Sequence, residues 1–246
     1  MRVLFMGGKF VGCGCLQYLL ENETVVGVYV NASDTAPDRW YPSATELALK
    51  ENVPVFLHRV NSPESIATIK RLNPDIIAVA YYDQILKSKV IGIPPLGCIN
   101  VHLALAEQYR GCYPTTWAII NGEATTGVTI HYITEDVDAG DIIAQKEITL
   151  DRTWTGEDLY YQLSKVAIEL FKDTFPQIPT IKPRKQDAAH ARYYRREFPD
   201  REIQLDEKTY NRIRALLFKN FPPPYIMIGR RRFIITEDSV NTQASE

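Results

Sequence analysis

The sequence lacks the features that mark several classes of protein. It contains no run of about 18 apolar residues, so no membrane-spanning helix and no membrane insertion are predicted. The apolar run at residues 2–6 ends in glycine and is too short for the core of a secretion signal, so we expect a cytoplasmic protein. No Gly-x-Ser-x-Gly sequence is present, which disfavours a hydrolase built on that motif.

Cysteine is scarce as well, and its spacing does not indicate a metal site. The four cysteines are Cys13, Cys15, Cys98 and Cys112. Cys13 and Cys15 are separated by one residue, whereas structural zinc sites usually place two or more residues between such ligands. All four lie in or beside predicted core elements, so we expect small, reduced, buried side chains and no metal.

The charges are unevenly distributed along a chain whose formal net charge is only −2. Residues 1–180 carry 14 Lys and Arg against 21 Asp and Glu, whereas residues 181–246 carry 14 against 9. A basic C-terminal part on an acidic body indicates that this part binds something anionic. A solvated basic face is the alternative that charge alone leaves open.

Apolar runs alternating with helical patterns predict an α/β fold. Residues 2–6, 24–31 and 75–80 are apolar almost throughout, which is typical of buried parallel strands, and shorter strands are predicted at 53–56 and 98–102. Helical patterns between them predict a right-handed parallel sheet. Residues 126–133 alternate as in a half-exposed antiparallel strand, and 142–150 return beside them. The glycine turn at residues 7–12 is not G-x-G-x-x-G, so it is only a weak dinucleotide signal.

Prolines at 176, 179 and 183 indicate a linker, and we place a domain boundary near residue 180. Residues 1–180 are predicted to form the main domain. Residues 181–246 are predicted to form a small module with a helix at 206–219 and a β-hairpin at 226–235. A hairpin of that size is not stable alone, so we expect it to pack on its own domain or on a second copy in a homodimer.

Three polar residues form a candidate catalytic group. Asn100 and His102 lie two apart on a predicted strand and therefore project from one face, and Asp138 lies in a predicted loop opposite. An amide, an imidazole and a carboxylate suit acyl transfer, which needs an oxyanion donor, a proton shuttle and a group that orients the shuttle. A satisfied polar pair on a strand is one alternative. A metal site of His102, Asp138 and Asp141 is another.

An ordered set of motifs covers residues 75–150: Asn100-Val101-His102, Tyr109-Arg110-Gly111, Pro114, Gly122-Glu123, Thr126 to His131 and Asp138-Ala139-Gly140-Asp141. This set resembles the signature of the formyltransferases that use N10-formyltetrahydrofolate. The resemblance implies a Rossmann-like formyltransferase sheet with helices on both faces and a catalytic triad of Asn100, His102 and Asp138. It also implies a folate slot between residues 82–86 and 134–141. The residues expected to bind the folate are Tyr82, Gln84, Ile85, Leu86, Val90, Asp136 and Asp141.

The C-terminal part is most similar to that of small N-formyltransferases acting on dTDP-linked 4-amino-4,6-dideoxy sugars, whose products enter bacterial surface glycans. About 60 residues are too few for an ordinary RNA-binding OB domain, and a pI near 6.1 disfavours a nucleic-acid partner. The expected acceptor is therefore a nucleotide-linked amino sugar. The residues expected to contact it are Lys9, Gln108, Tyr109, Arg195, Arg196, Tyr225 and Arg230.

Each of these contacts has a chemical reason. The cations would neutralise a pyrophosphate, Tyr225 offers a face for the base, and Gln108 and Tyr109 adjoin the triad. Residues 103–111 are predicted to form a loop, which lacks at 103–108 the proline usual in the family. We expect its part at 104–111 to select the acceptor together with the basic C-terminal part. Three other functions stay open: a methionyl-tRNA formyltransferase, a formyltetrahydrofolate hydrolase and a non-catalytic nucleotide-sugar binding protein.

Overall fold

A computed structural model describes residues 1–187, 189, 191–199, 208–228 and 231–237. The first part of the chain forms β1 (Arg2–Gly7), α1 (Lys9–Asn22), β2 (Thr24–Tyr29), α2 (Ala44–Lys50), β3 (Val55–Phe56), α3 (Pro63–Leu72), β4 (Ile76–Ala80), α4 (Ser88–Ile91) and β5 (Cys98–His102). The remainder forms β6 (Tyr109–Gly111), α5 (Pro114–Ile120), β7 (Thr125–Tyr132), β8 (Ile142–Thr149), α6 (Gly156–Thr174), β9 (Arg192–Tyr194), α7 (Thr209–Leu216), β10 (Tyr225–Ile228) and β11 (Arg231–Ile234). Two short 3₁₀ helices lie at Ala32–Thr35 and Phe175–Gln177.

Seven strands form the central sheet in the order β3-β2-β1-β4-β5-β7-β8. The strands β1 to β5 run parallel, and β7 and β8 pair antiparallel at one edge. Both directions agree with the sequence-based prediction. The register places Val79 of β4 beside Asn100 of β5, and His102 beside Thr129 of β7. The polar residues of β5 therefore lie where the parallel strands end.

The core has two layers because side chains alternate across the sheet. Val3 and Phe5 of β1 pack with α1, α5 and α6 on one face, whereas Leu4 and Met6 pack with α3 and α4 on the other. All four side chains are fully buried. The predicted arrangement of helices on both faces is thereby confirmed. Among the described helices, none is long and apolar enough to cross a bilayer.

Strand β7 corrects the prediction of a half-exposed strand. Six of its eight residues are buried, including Thr129 and His131. Helix α6 packs on this edge of the sheet, and the chain at 104–106 covers it as well, since Thr129 accepts the Ala106 N–H and donates to the Ala104 carbonyl. The alternating pattern identified a strand but did not reveal what covers its polar face.

Two further features differ from expectation. Residues 109–111 were predicted as loop but form β6, which pairs with β9 of the C-terminal part. Cys112 is only partly buried, whereas the other three cysteines are buried as expected. No disulfide links the four, because all are free thiols.

The C-terminal part contains the predicted helix and hairpin. Helix α7 packs on α5 and α6, and its buried Arg214 donates to the main-chain carbonyls of Asp151 and Trp154. Strands β10 and β11 form an antiparallel pair. The predicted start of the helix at residue 206 lies outside the described residues. A domain boundary near residue 180 stays a prediction.

Candidate active site

A cavity of about 500 Å³ lies beyond the carboxyl ends of β4 and β5, where ligands bind in open α/β sheets. Asn100, His102 and Asp138 lie together on its wall. Six non-glycine residues in the described part of the chain have a positive φ angle, and four of them line this cavity: Lys9, Tyr81, Tyr113 and Asp138. Left-handed backbone at such residues is unfavourable and is concentrated at functional sites. Geometry and backbone conformation therefore identify the same region.

Asp138 is the centre of the candidate catalytic group. Its Oδ1 accepts a hydrogen bond from the Asn100 amide at 3.2 Å and lies 3.4 Å from His131 Nε2. Its Oδ2 lies 3.6 Å from His102 Nδ1 and accepts the Gly111 N–H at 2.8 Å. The three residues predicted from the sequence are thus brought together by one carboxylate.

The charge state of Asp138 follows from these contacts. Burial by itself would raise the pKa of the carboxyl group. The positive charge available on His102, the hydrogen bond and charge of His131, and the Gly111 N–H outweigh burial and hold the pKa of Asp138 well below its ordinary value. Asp138 is therefore a carboxylate across the physiological pH range.

Both ring nitrogens of His102 face acceptors. Nε2 lies 2.7 Å from the Tyr109 carbonyl, to which it donates, and Nδ1 faces Asp138. A doubly protonated ring satisfies both contacts at once. The imidazole is 6% exposed, so its orientation is fixed by protein groups rather than by water.

His131 is the member of the group that sequence reasoning did not assign. It lies on β7 directly opposite Asn100, with 1% of its surface exposed. Its Nδ1 donates to the Tyr132 carbonyl, and its Nε2 lies 3.3 Å from the Asn100 amide nitrogen. The sequence feature that could have identified His131 is its place in the Thr-Gly-Val-Thr-Ile-His motif. Because this strand was predicted to be half-exposed, no contact between His131 and Asn100 or Asp138 was expected.

The loop that carries Asp138 is tightly packed. A Cβ atom on Gly140 would lie 1.8 Å from the Tyr132 carbonyl oxygen, so only glycine fits there. Gly111 has a φ of +89°, and a Cβ atom there would lie 2.2 Å from the Tyr194 carbonyl oxygen. Glycine is thus required on both sides of the Asp138 carboxylate.

Most of the predicted folate-binding residues surround one end of the cavity. Its lining includes Tyr82, Gln84, Ile85, Leu86 and Asp136. Val90 does not line the cavity, because it is fully buried in the core cluster that also contains Leu86. The Asp141 side chain is also absent from the lining, since its loop turns away toward β8, and its carbonyl accepts the Tyr132 N–H.

This end of the cavity has the character of a slot for a flat heterocycle. Val79, Leu86 and Ile133 provide apolar walls. The main-chain groups of Leu86 and Val137 have no hydrogen-bond partner among the residues that the structure describes. Apolar walls with a few free main-chain donors and acceptors fit a pterin-like ring.

The predicted acceptor-binding residues are more scattered. Lys9 and Arg196 line the cavity. Gln108 and Arg195 are exposed outside it. Tyr225 lies in the hairpin with Arg232 stacked 4.0 Å from its ring centre, and Arg230 lies outside the described residues.

Tyr109 is directed into the protein rather than into the cavity. It is 2% exposed, its ring stacks on Tyr194 at 5.5 Å, and its hydroxyl group donates to Glu123. Burial, followed by the hydrogen bond to Glu123, raises the pKa of Tyr109. Only its carbonyl, which holds His102, contributes directly to the site.

An aromatic cluster that the sequence did not predict forms the other end of the cavity. Its members are Trp40, Tyr160, Phe218 and Phe221, all of which line the cavity. The Trp40 ring lies 4.9 Å from Phe218 and 5.8 Å from Tyr160, and Phe218 lies 5.2 Å from Phe221. Three separate segments supply these rings, so no local sequence pattern could reveal the cluster.

Two cations, Lys9 and Arg196, line the same cavity as the triad and the aromatic cluster. Lys9 places its Nζ 4.6 Å from the centre of the Tyr81 ring. Burial lowers the pKa of Lys9, an effect that Asp83 opposes and Arg196 reinforces. Arg196 itself pairs with Asp83 at 3.4 Å. Within the described residues, no cluster of three His, Cys, Asp or Glu side chains is arranged to hold a metal ion.

Comparison with known proteins agrees with this geometry. Residues 22–174 match the family model described as formyl transferase. Methionyl-tRNA formyltransferase of Clostridioides difficile is 39% identical over 184 residues, which is 71% of this chain and 58% of that protein. The chain thus spans less than two thirds of the length of this curated relative.

Solved structures share the fold at low sequence identity. An N-formyltransferase from Helicobacter canadensis, in complex with folinic acid and dTDP-3-aminofucose, gives a TM-score of 0.76 at 22% identity, covering 94% of this chain and 86% of that one. Methionyl-tRNA formyltransferase from Clostridium thermocellum gives 0.64 at 21% identity, covering 94% and 90%. The family match extends over more than half of the chain, and this chain therefore belongs to the formyl transferase family.

Proposed function

We propose that this protein transfers a formyl group from N10-formyltetrahydrofolate to the amino group of a nucleotide-linked amino sugar. The observation that carries the proposal is the continuity of one cavity. Its walls join the Asn100, His102 and Asp138 group to a slot for a heterocycle, to two cations and to an aromatic cluster. Each part has the chemistry that one portion of the two substrates requires.

The folate slot is defined by this chain's own residues. Leu86 and Ile133 would pack on the pterin ring, and the free main-chain groups of Leu86 and Val137 would hydrogen-bond its edge. Bound there, the folate would supply an activated formyl carbon for attack by an amine. The chain's part is to orient that carbon near Asn100 and His102, to exclude water and to manage the proton.

Asn100 and His102 are placed to stabilise negative charge on the formyl oxygen. For this role His102 exchanges the hydrogen bond from its Nε2 to the Tyr109 carbonyl for one to the developing oxyanion. Asp138 retains its contact with Nδ1 and stabilises the charged ring. The amine must be neutral to attack the formyl carbon. As the bond between that carbon and N10 of the folate breaks, His102 would give its Nε2 proton to the departing N10 and regain a proton from the amine nitrogen, while Asp138 stays ionised beside Nδ1.

The distal part of the cavity fits the acceptor. Lys9 and Arg196 suit a diphosphate, since cations form strong charge-assisted hydrogen bonds to phosphate oxygens. Trp40, Phe218 and Phe221 offer faces on which a base would stack. The higher TM-score to the structure containing dTDP-3-aminofucose supports this acceptor class over tRNA.

Methionyl-tRNA formyltransferase is the second candidate, because the curated relative at 39% identity carries that name. A panel assay separates the two. The protein is incubated with N10-formyltetrahydrofolate and either amino-sugar nucleotides or initiator methionyl-tRNA, and products are followed by mass. A nucleotide amino sugar heavier by one carbonyl group supports the proposal, whereas formylated tRNA alone overturns it. Formate release without any amine would indicate a hydrolase.

We also propose that two copies associate through the C-terminal hairpin. Phe233 and Ile234 are 47% and 60% exposed on β11, and Met227 is 36% exposed on β10. Because successive side chains of a strand alternate between faces, Met227 and Ile234 lie on one face of the hairpin and Phe233 lies on the other. Exposed apolar side chains that share one face favour burial against a partner. Sedimentation should give a dimer that Ile234→Glu converts to a monomer. A monomeric wild-type protein would contradict this proposal of a dimer.

The cytoplasmic location expected from the sequence stays a prediction.

A further inference from the structure

Gln186 lies outside the residues that match the family model, yet it contacts the catalytic loop. It belongs to the return segment, defined here as residues 184–187 and 191–196. Its side-chain amide donates to two main-chain carbonyls, that of Asp138 at 2.8 Å and that of Gly140 at 2.7 Å. Its Oε1 accepts a hydrogen bond from Arg110 at 2.8 Å. A partly buried glutamine thus has both amide hydrogens and its oxygen in use.

The orientation of this amide is fixed by its neighbours. Arg110 can only donate, and the two carbonyls can only accept, so a flipped amide would lose all three hydrogen bonds. The donor end must therefore face the catalytic loop.

The carbonyl that Gln186 holds belongs to a strained residue. Asp138 has a φ of +51°, a conformation that costs an aspartate free energy and persists only where surrounding contacts enforce it. Fixing the carbonyls of residues 138 and 140 restrains the peptide planes that join Asp138 to Ala139 and Gly140 to Asp141. That restraint aims Oδ1 of Asp138 at Asn100 and Oδ2 at His102.

The return segment is anchored on both sides of Gln186. Before it, Arg184 pairs with Glu107 at 2.7 Å, and its main chain exchanges hydrogen bonds with that of Ile142. After it, β9 pairs with β6, and the Tyr194 carbonyl accepts the Cys112 N–H at 2.9 Å. Gln186 is therefore held against the loop by structure on both flanks.

We propose that Gln186 is a positioning residue for formyl transfer, acting by holding the Asp138 loop in its strained, catalytically competent conformation. The proposal rests on the proposed function of the site. It assigns to the C-terminal part a role in the chemical step in addition to any role in acceptor binding. Gln186 would act through the loop that carries Asp138 and would not itself contact the reacting atoms.

Three variants distinguish this role from a merely structural one. Gln186→Ala removes all three hydrogen bonds. Gln186→Glu keeps an acceptor for Arg110 but places a carboxylate oxygen against the two carbonyls. Gln177→Ala is the matched control, because Gln177 also donates from its amide to a main-chain carbonyl, that of Asp173, at an exposed site that does not line the cavity.

We expect the single-turnover transfer rate to fall about 10- to 100-fold in Gln186→Ala and Gln186→Glu, since small displacements of catalytic groups have effects of that size. The Km values for both substrates and the melting temperature should stay close to those of the wild type. Gln177→Ala should behave as the wild type. A Gln186→Glu protein with wild-type rate would overturn the proposal, because an ion pair with Arg110 would then suffice.

A spectroscopic readout keeps the test independent of activity. In ¹⁵N-histidine spectra, the His102 signals should shift in both Gln186 variants, whereas those of the exposed His58 should not. Unchanged His102 signals would contradict the positioning role. If the wild type transfers formyl to no amine, the proposed function fails, but the spectra still report whether Gln186 orients the catalytic group.

Discussion

The two ends of the cavity are built differently. At the catalytic end, Asp138, His102 and His131 are at most 12% exposed in their side chains and are linked by hydrogen bonds and ion contacts. At the distal end, Arg196 is 63% exposed, and the other walls are aromatic rings supplied by separate segments. Under the proposed function, the groups that carry the chemistry are held by the sheet and its loops, whereas acceptor selection depends on side chains that separate segments of the chain bring together.

The largest expected effect lies at the catalytic end. Asn100→Ala and His102→Ala should each lower kcat by about 10²- to 10³-fold, the usual cost of losing one donor to an oxyanion. Because neither residue lies among the cations or the aromatic cluster, the affinity for the nucleotide part should change little. Steady-state kinetics together with titration of dTDP would measure both quantities. If either variant lost nucleotide affinity and kept its kcat, the proposal that one end of the cavity serves the chemistry and the other binds the nucleotide would be wrong.

A smaller effect is expected at the distal end, and it should appear in a different constant. Lys9→Met and Arg196→Met should raise the Km for the nucleotide sugar about tenfold, since a hydrogen bond to a charged group contributes about 1.5–3 kcal/mol. The rate of the chemical step at saturation should be retained. Lys172→Met, an exposed change on α6, is the matched control. A loss of kcat at constant Km would indicate that these cations act in the chemical step and not in binding the nucleotide sugar.

The pH dependence of the free energy of unfolding tests whether the pKa of Asp138 is lowered in the folded protein. Its folded-state pKa lies below the unfolded value of about 3.9, so between the two values the unfolded chain binds more protons. The stabilisation from ionised Asp138 is therefore complete above the unfolded pKa and is lost as the pH falls toward the folded one. Urea unfolding should show the wild type to be more stable than Asp138→Asn from about pH 5 to 7, and the difference in free energy of unfolding should shrink as the pH falls below about 4. A constant difference throughout would argue against the depressed pKa.

The smallest expected effect concerns the Arg196–Asp83 pair. The two side chains are 63% and 45% exposed, so solvent screens their attraction. Asp83→Asn should change the free energy of unfolding by less than about 1 kcal/mol. Chemical denaturation measures this free energy directly. A markedly larger loss of stability in Asp83→Asn would indicate that the pair is a structural contact of the fold and not part of an accessible cavity wall.

Sequence reasoning predicted the sheet well, since the buried strands β1, β2 and β4 are continuous apolar runs that only a covered parallel sheet accommodates. It also placed Asn100 and His102 on one face of β5. Strands β6 and β9 were missed because each has three residues and pairs with a segment about 80 residues away. Nothing local distinguishes such a strand from a loop.

The remainder of the site depends on contacts between distant segments. Gln186 stands alone in a stretch rich in lysine, arginine and proline, with no pattern that marks its contact with Asp138. The proposed base-stacking role of Tyr225 was based on one aromatic residue near a basic segment. The aromatic cluster lies instead where Trp40, Phe218 and Phe221 meet, and only the fold brings these residues together.

Under the proposed function, Asp138 serves the chemistry and not the binding of substrates. The most direct test of this role compares Asp138→Asn with the wild type by single-turnover formyl transfer and by equilibrium titration of the folate and the nucleotide amino sugar. We expect unchanged dissociation constants and a transfer rate reduced by about 10²-fold or more. Transfer at the wild-type rate, or a loss of affinity that matches the loss of rate, would contradict it.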